Sequence, residues 1–246
     1  MDLGIAGKCA VVAASSAGLG RGSAKALLDA GCRVVINGRD PARLAATAAE
    51  LPGAIPIAGD VSNAGGASEF IANATETLGQ VDILVTNAGG PPLGNFASIE
   101  VDQYLEAVNL NLMSVVAMTK AAAPPMQERG WGRIVAITSL SVRQPMAQLI
   151  LSNTARAGAT SFLKTVAREI ARDGVTVNTV QPGSHLTDRL TGGDPNFVPA
   201  ATGIPAGFIG DAEDFGAVVA FLCSEQAKFI TGTSVPVDGG ANAALQ

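Results

Sequence analysis

Short runs of β-branched and aliphatic residues recur along the chain with no alternation of polar and apolar positions. They are CAVVAA (9–14), RVVING (33–38), AIPIAG (54–59), DILVTNAG (82–89), RIVAIT (133–138), VTVNTVQPG (175–183) and SVPVDGG (234–240). Continuous apolar runs of this length predict strands covered on both faces, the usual state of a parallel sheet. Between them the apolar positions switch to helical spacing. Phe70, Ile71, Ala74 and Leu78 share one predicted helix face, Tyr104, Leu105, Val108, Leu112, Val115 and Val116 a second, and Phe162, Leu163, Val166 and Ile170 a third. Strand and helix in alternation predict an α/β fold. The expected form is a doubly wound, Rossmann-type parallel sheet with right-handed crossovers and helices on both faces. With 246 residues and no break in composition, 1–246 reads as one domain.

Composition sharpens this picture in three places. Hydrophobic residues make up 48% and aromatic ones only 4%, so the core must be built from Ala, Val, Leu and Ile. The formal charge is −5 and no run of Lys or Arg occurs, which argues against a nucleic-acid partner. Cys9, Cys32 and Cys223 read as small buried hydrophobes. No paired-cysteine spacing exists and His185 is the only histidine, so no metal is expected. The opening MDLGIAGKCAVV has no basic segment followed by a long apolar run, and no stretch is apolar enough to cross a bilayer. A soluble, cytoplasmic protein without a membrane partner is the expectation.

Parallel sheets bind ligands outside the carboxyl ends of their strands, so the residues just past each strand are the candidates. After the first strand comes AASSAGLGRG (13–22). Gly18 and Gly20 allow a tight turn and close approach to a pyrophosphate; Ser15, Ser16 and Leu19 complete the candidate phosphate loop at a helix start. After the second strand, Gly38 and Arg39 stand where a carboxylate would accept from a ribose 2′-hydroxyl. A guanidinium there suits a 2′-phosphate and favours NADP(H), with NAD(H) as the alternative. Asp60 and Val61 follow the third strand as candidates for the adenine edge, and TNAGG (86–90) follows the fourth.

In order and spacing, the glycine turn, Asn87-Ala88-Gly89, GRIVAITS (132–139), VTVNTVQPG (175–183) and FLCSEQAKFITGTSVPVDGG (221–240) resemble the short-chain dehydrogenase/reductase family. The likeness is to its β-ketoacyl (3-oxoacyl-acyl carrier protein) reductase-like members and runs from Gly7 to Gly240. It implies hydride transfer between a nicotinamide coenzyme and a carbonyl or alcohol. Asn87, Ala88 and Gly89 match the segment lining the adenine-ribose side. Asn111 matches the active-site asparagine, with Asn109 its off-register neighbour, and a helix bulge there would free a carbonyl for water. Ser139 matches the catalytic serine, with Ser141 a near alternative. Pro182, Gly183 and Thr187 match the segment packed on the nicotinamide. The family associates through the helix bearing Arg156, the helix before it and the C-terminal VPVDGGANAALQ, so a homodimer or homotetramer is implied.

Two departures stand out. Ala13-Ala14 replace the family's Thr-Gly at the first turn, and Ser152 and Arg156 replace its Tyr-x-x-x-Lys. Serine is far less acidic than a phenol and shorter by a ring. Arg156 can hold ribose hydroxyls and supply charge, but with a pKa above roughly 12 it does not relay protons. Losing a positioned general acid costs about 10²–10⁴ in rate. Tyr104, expected in the core, and His185, expected as a loop residue, are the substitutes on offer. Arg156 also offers a fixed guanidinium to a substrate carboxylate. The Gly/Pro-rich segment 184–208 is the expected substrate lid, with Phe197, Val198, Ile204 and Phe208 as its apolar cover. The sequence supports three readings, in this order: an NADP(H)-dependent oxidoreductase acting on a small molecule with a modified site, a coenzyme-binding protein without turnover, and non-redox chemistry on the same scaffold.

Overall fold

A computed structural model of the protein describes residues 1–194, 196–198, 200–201 and 203–244. Seven strands, β1 (Cys9–Val12), β2 (Arg33–Gly38), β3 (Ile55–Ala58), β4 (Ile83–Thr86), β5 (Gly132–Ile137), β6 (Val175–Pro182) and β7 (Ser234–Val237), form one parallel sheet in the order β3-β2-β1-β4-β5-β6-β7. Each strand starts within a residue of its predicted run, and β1, β4 and β7 stop two to three residues before their runs end, where the exits begin. The absence of alternation now has its cause. Cys9, Val11, Leu84, Ile134 and Val177 point to one side, and Ala10, Val12, Ile83, Val135 and Val180 to the other, and both sides are covered by helices. The first side is closed by α3 (Ala64–Leu78), α5 (Ser114–Glu128) and α6 (Ile150–Ile170). The second is closed by α1 (Gly18–Asp29), α2 (Pro41–Glu50) and α8 (Ala212–Leu222). Among the described residues no helix is long and apolar enough to cross a membrane.

The chain leaves β1 toward β2 on one side and returns to β4 on the other. The strand order therefore reverses at β1, and a crevice opens above its carboxyl end. Local chemistry fixes the helices around it. Asp40 caps α2 by accepting from the N–H groups of Ala42 and Arg43, with Pro41 in the first turn. Asn63 caps α3 and Asp211 caps α8 in the same manner.

Helices α1 and α8 meet backbone to backbone. A methyl at Gly22 would overlap the carbonyl of Ala212, and one at Gly216 would overlap the carbonyl of Gly22. These two glycines set how deeply α1, and with it the Gly18–Gly20 turn, sits against the sheet.

One predicted helix face is corrected. The chain from α4 (Val101–Val108) to α5 is interrupted by a π-helical turn at Asn109–Met113. The extra residue rotates α5 relative to α4, so the six expected positions cannot share a stripe. Val115 is buried, Tyr104 is half-buried, and Leu105 is 66% exposed. Ala107 and Asn111 point inward in their place.

Overpacking at the α1–α8 contact is expected to lower stability by about 1–3 kcal/mol. Gly22→Ala should therefore shift the urea midpoint downward without changing the slope of the transition. An unchanged midpoint would show that the two helices part at no cost.

Candidate active site

The crevice over β1 is a cleft of about 540 Å³ whose walls include Ser16, Gly38, Arg39, Asp60, Gly89 and Asn109. It is built by side chains that tie the strand ends together. The buried Ser15 hydroxyl donates to Val12 O (2.7 Å) and accepts from Asn37 N (2.9 Å). Asn37 donates to the carbonyls of Ile57 and Gly59, both at 3.1 Å, and accepts from Ala14 N. One asparagine thus joins the exits of β1, β2 and β3. Asn87 adds β4 by donating to Ala14 O at 3.0 Å.

This corrects the expectation for Ser15. Its hydroxyl is turned inward, fully buried and engaged on both sides, so it shapes the turn and cannot face a ligand. Ser16 does line the cleft, and a methyl at Gly38 would come within 2.9 Å of its Cβ and Oγ. Gly18 has φ +53°, and the methyl of Thr187 lies 3.3 Å from the place its Cβ would take. Gly20 is required because a Cβ would sit 2.6 Å from Ala14 O. The side chain of Leu19 packs toward the core beneath α1. Helix α1 opens at Ala17 with no side-chain cap, so its first N–H groups remain available to an anion. Arg39, Asp60, Val61, Ala88 and Gly89 line the cleft.

The absent family glycine has a visible consequence. Ala14 has φ +45° and is the one non-glycine residue with positive φ among the described residues. Its methyl is held in the left-handed region, at roughly 1–2 kcal/mol, by the Asn37 and Asn87 hydrogen bonds on either side.

Just past the neighbouring strand β5 stand two serines. Ser139 Oγ lies 2.8 Å from Ser141 Oγ and accepts from Ser141 N at 3.1 Å. Ser141 is buried and Ser139 only half so, which leaves Ser139 as the outward member of the pair. Ser152 and Arg156 lie one turn apart on α6. The Arg156 guanidinium donates through Nη1 to Ile137 O (2.8 Å) and Thr138 O (3.1 Å), and through Nη2 toward Ala88 O at 3.5 Å. It thereby clamps the ends of β4 and β5 and connects the cleft wall to the residue before Ser139. No carboxylate lies within 4 Å of it among the described residues. Burial, with some help from the Arg189 charge, pulls its pKa down to about 10, lower than expected from sequence but still cationic at neutral pH.

Asn111 sits at the π turn, buried, and donates to Gly89 O at 3.1 Å, while its Oδ1 has no partner among the described residues. The expected bulge is present, although the Leu110 carbonyl takes the Ser114 hydroxyl at 2.6 Å. Pro182 and Gly183 leave β6 tied to β7, with Gly183 N donating to Val237 O at 2.9 Å. His185 is packed away from the cleft. Its ring meets Phe215 edge-to-face and lies against Gly210, Nδ1 stands 3.2 Å from Gly183 O, and burial lowers its pKa.

The segment 184–208 departs from the expected apolar cover. Ile204 packs against Gly239, whereas Val198 (83%) and Phe208 (66%) are exposed and Phe197 is at the margin. Pro195, Pro199 and Thr202 of this segment, and Leu245 and Gln246 of the C-terminal stretch, lie outside the described residues. Within this segment the short helix α7 (Asp188–Thr191) carries Asp188, which pairs with Arg43 of the cleft wall.

Four residues are not marked as site residues by the sequence patterns. Arg43 lines the cleft and pairs with Asp188; Asn37 stitches three strands; Arg189 donates to Pro91 O at 2.8 Å; and Gln181 is fully buried with neither amide atom partnered among the described residues. A polar residue inside an apolar strand run was the available signal for Asn37 and Gln181. Nothing local marks the arginines.

An open parallel sheet with a glycine turn at its switch point and a hydroxyl–cation face beside it defines a dinucleotide-binding α/β protein. Comparison with known proteins makes this specific. The enoyl-(acyl carrier protein) reductase family model matches residues 13–242. The chain is 34% identical to L-rhamnose 1-dehydrogenase (NAD(P)(+)) of Sphingomonas sp. (strain SKA58), covering 98% of each chain. It is 31% identical to 3-oxoacyl-[acyl-carrier-protein] reductase of Vibrio harveyi, covering 97% of this chain and 98% of that one. L-sorbose reductase from Gluconobacter frateurii, solved with NADPH and L-sorbose, superposes with a TM-score of 0.93 at 28% identity over all of both chains. The chain belongs to the short-chain dehydrogenase/reductase family of oxidoreductases.

Relief of the strain at the first turn is the expected outcome of Ala14→Gly. It should raise stability by about 0.5–1 kcal/mol, the glycine's extra chain entropy offsetting part of the gain. Chemical denaturation of the two proteins side by side checks this, and a loss of stability would show the turn to be unstrained.

Proposed function

We propose that residues 1–246 form one coenzyme-binding domain that acts as an NADP(H)-dependent oxidoreductase on a small carbonyl or alcohol substrate, through a modified active site. One observation carries the reading. Ala88 lines the cleft over β1, and Arg156 joins that wall to the strand end presenting Ser139. The uncapped start of α1, the space kept by Gly38 and the unpartnered Asn111 oxygen support a bound coenzyme at this place. Two similar solved structures, the sorbose reductase and an actinorhodin polyketide ketoreductase, carry NADPH. Arg39 at the end of β2 favours the phosphorylated coenzyme over NAD(H).

When bound, the nicotinamide supplies or accepts the hydride. The chain's own residues do the rest. Gly18–Gly20 and Ser16 would cradle the phosphates, Asp60 and Val61 would border the adenine, and Pro182, Gly183 and Thr187 would border the nicotinamide. Ser139 Oγ, oriented by Ser141, holds the substrate oxygen. Thr154 and Thr160 on α6 bond back to Ile150 O and Arg156 O, whereas the Ser152 hydroxyl makes no such bond among the described residues. It is therefore free to donate to that oxygen. Arg156 stays charged and stabilises negative charge developing there. Hydrogen bonding and charge replace the family's phenol, and the missing proton donor costs rate.

A second reading, a coenzyme-binding protein with little or no turnover, is favoured by the Arg156 geometry, because both Nη1 bonds are spent on strand carbonyls. We also propose a homodimer or homotetramer, to which the exposed Val101 (86%) and Leu105 (66%) on α4 and Phe229 (100%) offer apolar contact.

Calorimetric titration should show NADPH binding more tightly than NADH. Ser152→Tyr combined with Arg156→Lys should raise ketone reduction by about 10- to 10³-fold over the unaltered protein. No heat with either coenzyme would reject the whole reading. Tight binding with turnover only in the double variant would select the second one.

A further inference from the structure

The strand exits that form the cleft are bridged by three consecutive residues from far along the chain. Thr187 rests its methyl on Gly18, at the start of α1. Asp188 forms an ion pair with Arg43 of α2, 145 residues away in sequence. Arg189 donates to Pro91 O beyond β4 and lies over Gly90. This strap crosses the α1, α2 and β4 sides of the cleft and touches each with a different chemistry.

Arg43 is the member with two possible partners. Its side chain lines the cleft together with Arg39 and Asp60, at the end where the proposed function puts the adenosine half of the coenzyme. The pair it makes with Asp188 is solvent-facing, with side chains 50% and 65% exposed. Exposed pairs of this sort shift equilibria only a few-fold, so the carboxylate holds Arg43 weakly. A phosphate dianion accepts a guanidinium in a bidentate, charge-assisted pair and is the stronger acceptor. On the reading that this cleft holds a dinucleotide, we infer that Arg43 is a shared cation. Asp188 holds it while the cleft is empty, the 2′-phosphate of the coenzyme takes it away, and Asp188 thereby sets how strongly the protein prefers the phosphorylated coenzyme. The strap loses its α2 anchor in the same exchange and keeps the contacts at Gly18 and Pro91.

Adenosine 2′,5′-bisphosphate and adenosine 5′-phosphate separate this from catalysis, because neither carries a nicotinamide. Both are titrated calorimetrically into the unaltered protein, Asp188→Asn and Arg43→Gln, at low and high salt. Asp188→Asn should bind the bisphosphate about two- to fivefold more tightly, an effect that shrinks with salt. Arg43→Gln should weaken the bisphosphate at least about tenfold, and in both variants the ratio of the two affinities should move while the monophosphate affinity stays nearly constant. Bisphosphate binding that is unchanged or weaker in Asp188→Asn would overturn the exchange. So would a ratio that responds to Arg39→Gln but not to Arg43→Gln. If the unaltered protein binds neither nucleotide, the coenzyme reading falls and the inference with it; binding of both with no response to Asp188 removes the inference alone.

Discussion

The site depends on one buried cation tied to backbone. Arg156 has no carboxylate beside it among the described residues and is held by carbonyl oxygens at the ends of β4 and β5. A charge taken from water costs several kcal/mol unless its donors are satisfied, and strand-end carbonyls are the acceptors a parallel sheet leaves over at its carboxyl edge. One guanidinium nitrogen serves Ile137 O and Thr138 O while the second points toward Ala88 O, a span between two strand exits that a single ammonium nitrogen does not cover. That clamp fixes the height of Thr138 and hence the place of Ser139.

The same logic operates at the other end of the cleft, with neutral groups. Ser15, Asn37 and Asn87 spend their hydrogen bonds on neighbouring strand exits, and the turn they build is tight enough to hold Ala14 at positive φ. The cleft-facing surface of the turn is then left to backbone N–H groups and Ser16. A rigid polar frame behind a backbone-lined cradle is a preorganised site, which orients a ligand without ordering side chains at the moment of binding.

The strands were legible in the sequence because a sheet covered on both faces demands continuous apolar runs, and the glycine turn because Gly20 meets backbone where no Cβ fits. The fate of Leu105 was not legible. A π turn shifts the helical phase by one residue, and nothing in NLNLM announces it by period alone. Ser15 misleads because sequence shows that a hydroxyl is near a phosphate loop but not which way it turns. Arg43 stays hidden for another reason: its partner lies 145 residues away, and only the fold brings α7 over α2.

Charge distribution draws the pieces together. The chain carries a net charge of −5, yet Arg39 and Arg43 stand at the cleft, Arg189 at Pro91 and Arg156 beneath Ala88. Most of the 21 acids lie elsewhere and set the sign of the total; Asp60 and Glu106 also line the cleft, and four guanidiniums gather above the carboxyl ends of the strands. The uncapped start of α1 adds the positive end of its dipole to the same potential. Arg156 feels this directly, since the Arg189 charge helps depress its pKa. An anion entering the cleft lowers that mutual repulsion. On the proposed reading, coenzyme phosphates would therefore steady the same cation that ties Ala88 to the strand end before Ser139, linking the two through electrostatics rather than through movement of the sheet.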